Sequence, residues 1–97
     1  MFNLKGSSYI LDTACSSSLN ALHAACAALE SGECESAAVA GANLVQSPEA
    51  HLGAVNAGIL SGTSTCHSFY TSADRYGRAE GVGALYLKRL SHAIWGK

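Results

Sequence analysis

The stretch Asp12-Thr13-Ala14-Cys15-Ser16-Ser17-Ser18-Leu19 constrains this chain most, because it sets one thiol between an apolar extended run and a helix. Tyr9-Ile10-Leu11 reads as the end of a strand. Leu19, Leu22, Cys26 and Leu29 recur at helical spacing, so Cys15 falls on the turn that joins strand to helix. Unpaired backbone N–H groups and the positive end of the helix dipole favour a thiolate at a first helical turn, and the thiolate is the nucleophile. The same N–H groups stabilise an oxyanion when sulfur attacks a thioester carbonyl. Ala14, Ser16, Ser17 and Ser18 are small enough to let an acyl group approach.

These residues resemble the active-site stretch of β-ketoacyl synthase (ketosynthase) domains of type I polyketide synthases and animal-type fatty acid synthases. The resemblance continues through Ala21-Leu22-His23, Ser31-Gly32-Glu33-Cys34, Ala40 to Leu44 and Ser47-Pro48-Glu49. It resumes at Ser68-Phe69, Ala73 to Gly81 and Gly83 to Leu90, and so covers nearly the whole chain. Asn3-Leu4-Lys5-Gly6 is most similar to iterative fungal polyketide synthases. The resemblance implies that Cys15 is catalytic and takes the acyl chain as a thioester, its own N–H forming half of an oxyanion hole. It implies supporting roles for Ser16, Arg78 and Glu80, and leaves substrate-binding residues unassigned. No bound cofactor or metal is implied. The substrates ride on the phosphopantetheine of an acyl carrier protein, which is the expected partner.

A chain of 97 residues forms one small domain at most, whereas the resemblance is to an internal piece of a larger one. Residues 1–97 are therefore expected to be a partial ketosynthase domain. Members of the family use two histidines, in a His-Gly-Thr-Gly-Thr loop and an Asn-x-Gly-His loop, and neither motif occurs here. The alternative reading is a non-catalytic remnant that dimerises or otherwise interacts. A small cysteine hydrolase is disfavoured because His23 lies about 12 Å along the helix from Cys15 and off to one side.

With 48% hydrophobic residues, 13% charged and a net charge of −1, the chain lacks the basic excess of a nucleic-acid binder and the polarity of a disordered tail. No apolar run reaches the ~20 residues of a membrane span, and Met1 to Lys5 lacks the basic start and apolar core of a signal peptide. A cytoplasmic location is expected, with no membrane or nucleic-acid partner. Cysteines 15, 26, 34 and 66 form no Cys-x-x-Cys pair, which argues against a zinc site or redox dithiol. Cys15 and Cys26 would stand roughly 16 Å apart on one helix, beyond the ~7 Å limit for a disulfide. Cys26 is assigned to the core; Cys34 and Cys66 are unassigned, and His51, His67 and His92 are expected at surface or structural positions.

The expected fold class is α/β: strand, helix, strand, long loop, strand. The elements are a strand at 6–11, a helix at 16–31 ended by Gly32, and a strand at 35–45 followed by a short helix at 48–58. A loop at 60–78, a strand at 81–90 and a helix beginning at Ser91 complete the pattern. The resemblance makes this a partial thiolase-like fold, from the first βαβαβαββ half, whose sheet order is 3-2-1-4-5. Its strand 3, here Gly6 to Leu11, pairs with a second copy, which implies a homodimer. Within Ala73 to Gly81, Arg75 and Ala79 stand where the family has glycines, and Tyr70 stands where an Asp is usual. If those glycines serve positive φ, a Cβ costs ~1 kcal/mol or more at each.

Overall fold

The computed structural model describes residues 3–95. Met1 and Phe2, which belong to the segment examined for a leader, lie outside them. The elements are a 3-10 turn at Ala14–Ser16 running into helix α1 (Ser17–Ser31), strand β1 (Ser36–Asn43), helix α2 (Pro48–Asn56), strand β2 (Gly81–Lys88) and helix α3 (Leu90–Trp95). β1 and β2 pair in a two-stranded sheet. The chain divides into two compact units, Met1–Gly41 with Val82–Lys97, and Ala42–Gly81.

Local chemistry sets most boundaries. Gly32 closes α1 in the left-handed region at φ +83°, a conformation that costs glycine nothing. Its N–H and that of Glu33 both reach the Ala28 carbonyl. The Arg89 guanidinium lies beside this end, with Nη2 3.4 Å from where a Gly32 Cβ would stand, and so sets a cation against the negative pole of the helix. Ser47 caps α2 by accepting from the Ala50 N–H at 3.2 Å, and Pro48 takes the first helical position, where a missing N–H is harmless.

Two expectations need correction. Residues 6–11 form no strand. A strand exists only where a neighbour completes the ladder, and among the described residues β1 and β2 pair with each other and leave this segment without a partner. Tyr9 and Ile10 are exposed, Ile10 to 95%. Cys26 is also exposed, not core. Along the stripe of α1 only Leu29 is buried, and among the described residues Leu19 and Cys26, about two turns apart on the same helix, stay exposed.

The long connection from 60 to 78 is better organised than its weak periodicity suggests. Leu60 and Tyr76 form an isolated parallel bridge, and the Ser61 N–H donates to the Tyr76 carbonyl at 2.8 Å. Gly77 passes so close to Ser64 that a Cβ would collide with the Ser64 carbonyl oxygen and stand 2.7 Å from its carbon. Gly77→Ala is therefore expected to open this loop, at a local cost of about 1–3 kcal/mol. Amide exchange at Ser61 should accelerate correspondingly; unchanged exchange would show that the contact relaxes freely.

Candidate active site

Cys15 sits in the middle of the 3-10 turn, exposed, where the chain enters α1. Short polar side chains build this turn. Asp12 Oδ1 accepts from the Ala14 N–H at 3.0 Å, the local bond by which Asp favours turns. The Ser17 hydroxyl accepts from the Thr13 N–H at 2.9 Å and donates to the Ala14 carbonyl at 2.6 Å, so one side chain clasps the turn from both ends. Ser16 Oγ reaches back to Thr13, 2.9 Å from its carbonyl oxygen and 2.8 Å from its hydroxyl.

Ala14 carries the strain. Its φ of +58° lies in the left-handed region, which costs a residue with a Cβ roughly 1–2 kcal/mol. Such a conformation persists where its surroundings over-determine it, and here the Asp12 and Ser17 bonds fix the Ala14 N–H and carbonyl. The left-handed residue turns the chain sharply just before Cys15. No acidic residue lies within the first turn of the 3-10 segment or of α1, and the nearest carboxylate, Asp12, precedes the turn and is engaged by the Ala14 N–H. β1 approaches the same turn of α1 closely: a Cβ on Gly41 would lie 3.2 Å from Ser18 Cβ.

Arg78 and Glu80 belong to the other unit. Glu80 Oε1 accepts from the Val45 N–H at 2.7 Å, and Asn43 Nδ2 donates to the Ala79 carbonyl at 2.6 Å, so these side chains tie the segment after β1 to the start of β2. Arg78 Nη1 donates to the Ala50 carbonyl at 3.4 Å. It lines a cavity of about 390 Å³ together with His51, Ser61, Arg75 and Tyr76. The strain expected at Arg75 and Ala79 is absent, since neither has positive φ; in this unit, among non-glycine residues, Ser64 and Phe69 do. Side chains at 75 and 79 therefore meet no left-handed backbone.

Sequence reasoning missed a polar network in this loop. Buried Ser61 donates to Asp74 Oδ2 at 3.2 Å and lies 3.0 Å from the Thr63 hydroxyl, which is 3.1 Å from His67 Nε2. The Arg75 N–H, 2.7 Å from Asp74 Oδ1, and then the Ser61 hydroxyl hold the Asp74 carboxyl below its ordinary 3.8. A lowered carboxyl stabilises the loop above its unfolded value, and the contribution is lost as pH falls through the folded one. The carboxyl resonance of Asp74 should thus titrate below 3.8 and move up in Ser61→Ala. A midpoint at or above 3.8 in the unaltered chain would show that these bonds do not form in solution.

An exposed cysteine on a 3-10 turn at the head of a helix, in an α/β frame with a two-stranded sheet, narrows the families that can own this chain, and comparison settles which one does. Residues 1–93 match the profile of the β-ketoacyl synthase, N-terminal domain. The chain belongs to that family. It is 66% identical over 94 residues to highly reducing polyketide synthase 19 of Pyricularia oryzae, and 66% identical to highly reducing polyketide synthase srdA of Neurospora crassa. The alignment with each spans 97% of this chain and 4% of the relative. Among solved structures, the oxazolomycin ketosynthase domain OzmH KS7 of Streptomyces albus matches with a TM-score of 0.89 and 46% identity, over 96% of this chain and 17% of that one. A mutant of the ketosynthase from module 6 of the Bacillus subtilis bacillaene synthase, with serine in place of a cysteine, matches at TM-score 0.90 and 42% identity, over 95% and 16%. The α/β arrangement is thus that of the ketosynthase, thiolase-like fold. Among the described residues of this ketosynthase chain, no helix is long and apolar enough to cross a membrane, and no cluster of His, Cys, Asp and Glu could hold a metal ion.

Proposed function

We propose that this chain is the nucleophile-bearing part of a ketosynthase that builds a polyketide, with Cys15 as the residue that receives the growing acyl group. The observation that carries the reading is the exposed thiol on a strained, acid-free first turn, in a chain 66% identical to highly reducing polyketide synthases. The Cys15 thiolate attacks the carbonyl of an acyl thioester borne on a carrier protein's phosphopantetheine. A tetrahedral oxyanion forms, held in part by the Cys15 N–H, and collapses to the Cys15 thioester as the phosphopantetheine thiolate departs and takes up a proton. In the complete enzyme, decarboxylation of a malonyl thioester releases CO2 and leaves a carbanion. That carbanion attacks the Cys15 thioester, forms the new C–C bond and returns the thiolate. The two imidazoles that assist this step belong to motifs outside these residues, and Ser16, Arg78 and Glu80 support the frame. The reaction would proceed in the cytoplasm, in secondary-metabolite or fatty-acid synthesis.

Incubation with a short acyl-pantetheine thioester tests this reading. The expected result is a single acyl adduct on the Cys15 peptide and no condensed β-ketoacyl product when malonyl thioester is added. An adduct spread evenly over the four cysteines would refute it, and a condensed product would show instead that the step needs no imidazole from outside these residues. The exposure of Tyr9 and Ile10 favours a second reading, in which residues 6–11 pair with another copy and the chain acts only as an interaction fragment.

A further inference from the structure

The Cys15 turn is held by one side chain that the reaction does not require. Asn20 lies on the exposed side of α1, one turn past the thiol, and its Nδ2 sits 2.9 Å from Thr13 Oγ1, 3.1 Å from the Ser16 carbonyl oxygen and 3.2 Å from Ser16 Oγ. The geometry points to Asn20 as a positioning residue for Cys15. This inference rests on the reading of Cys15 as the acyl acceptor.

Asn is a poor helix former because its amide competes for nearby backbone groups, so an exposed Asn inside a helix needs a local reason. Here the reason is visible. Thr13 precedes the Ala14-Cys15 pair and Ser16 follows it, and the same amide is bonded to both. Its two hydrogens serve the Thr13 hydroxyl and the Ser16 carbonyl, the nearest acceptors, while Ser16 Oγ also reaches Thr13. Thr13, Ser16 and Asn20 thus form a closed triangle across the turn. The Asp12 bond and one Ser17 bond act on strained Ala14 itself, and Ser17 also takes the Thr13 N–H, whereas Asn20 alone joins Thr13 to Ser16 across the Ala14-Cys15 pair from one amide. A nucleophile must be aimed at its electrophile within a fraction of an ångström to keep its rate advantage, and a freed flank widens the range of thiol directions.

The test compares the full chain with Asn20→Leu, which keeps the branching at Cγ and removes the donors, and Asn20→Gln, which restores an amide on a longer stem. Iodoacetamide rates at Cys15 and Cys34 are followed by mass spectrometry, together with acyl transfer from an acyl-pantetheine thioester and amide protection along α1. In Asn20→Leu, Cys15 alkylation and acylation should fall about three- to tenfold relative to Cys34, with α1 still protected, and Asn20→Gln should recover most of the loss. An unchanged Cys15 rate, a loss accompanied by equal changes at Cys34 and an unprotected α1, or no recovery in Asn20→Gln would overturn the positioning role. A native Cys15 no faster than Cys34 in the unaltered chain would instead overturn the acceptor reading itself.

Discussion

Replacing Cys15 with serine should reduce acyl transfer to this chain by about a thousandfold or more, the largest change expected from any single substitution. The side chain keeps nearly the same volume and the same exposed position in the Ala14–Ser16 turn, so the loss isolates the chemistry of sulfur from the shape of the turn. A thiol supplies a small but useful fraction of thiolate at neutral pH, whereas a serine hydroxyl supplies essentially none without a general base. His23 is the nearest histidine in sequence, and its place on α1 puts it too far along the helix to serve as one. The measurement is the rate of acyl-adduct formation, with intact mass to count adducts. Retention of more than a tenth of the rate in Cys15→Ser would mean that another residue accepts the acyl group.

The chain should not persist as a well-folded monomer. Among the described residues the buried apolar side chains are Leu29 and Val39, while Ile10, Leu19, Val82, Leu90, Ile94 and Trp95 all stand largely in water. Apolar surface on this scale drives association, and an unpaired segment such as 6–11 offers backbone for it. Size-exclusion chromatography should show dimers or larger species, with melting that broadens on dilution and rises with concentration. Ile10→Lys should shift that distribution toward monomer. A monodisperse monomer with a sharp, concentration-independent melt would show that these residues form a self-sufficient domain, against the expectation.

Much of the local structure was legible in the sequence because it depends on near neighbours. Leu22, Leu29 and the terminal Gly32 specify α1 through helical spacing and a left-handed cap, and Pro48 marks the start of α2 through its fixed φ, while the Ser47 cap emerged only in the structure. The small apolar run through Val39 specifies β1. The place of Cys15 at the entry to α1 was legible for the same reason: the apolar period begins just after it.

What depends on distant residues was not. Residues 6–11 have the composition of a strand, but a ladder needs a partner, and none of the described residues supplies one. Cys26 has the spacing of a core residue, yet burial is a property of what lies opposite. Arg75 and Ala79 looked costly only while positive φ was assumed for them, and the backbone puts that conformation at Ser64 and Phe69 instead. Gly77 is required by the Ser64 carbonyl, a contact no local pattern announces. Thus the sequence by itself determined the helices, the Gly32 cap, the two strands and the thiol at the head of α1, since hydrogen bonds and side-chain periods over a few residues suffice for each. The left-handed Ala14 and the Asn20 bridge rest on near neighbours that no periodic pattern announces, and only the tertiary structure decided the Ser61–Asp74 network and which apolar faces are covered, because each depends on groups brought together by the path of the chain.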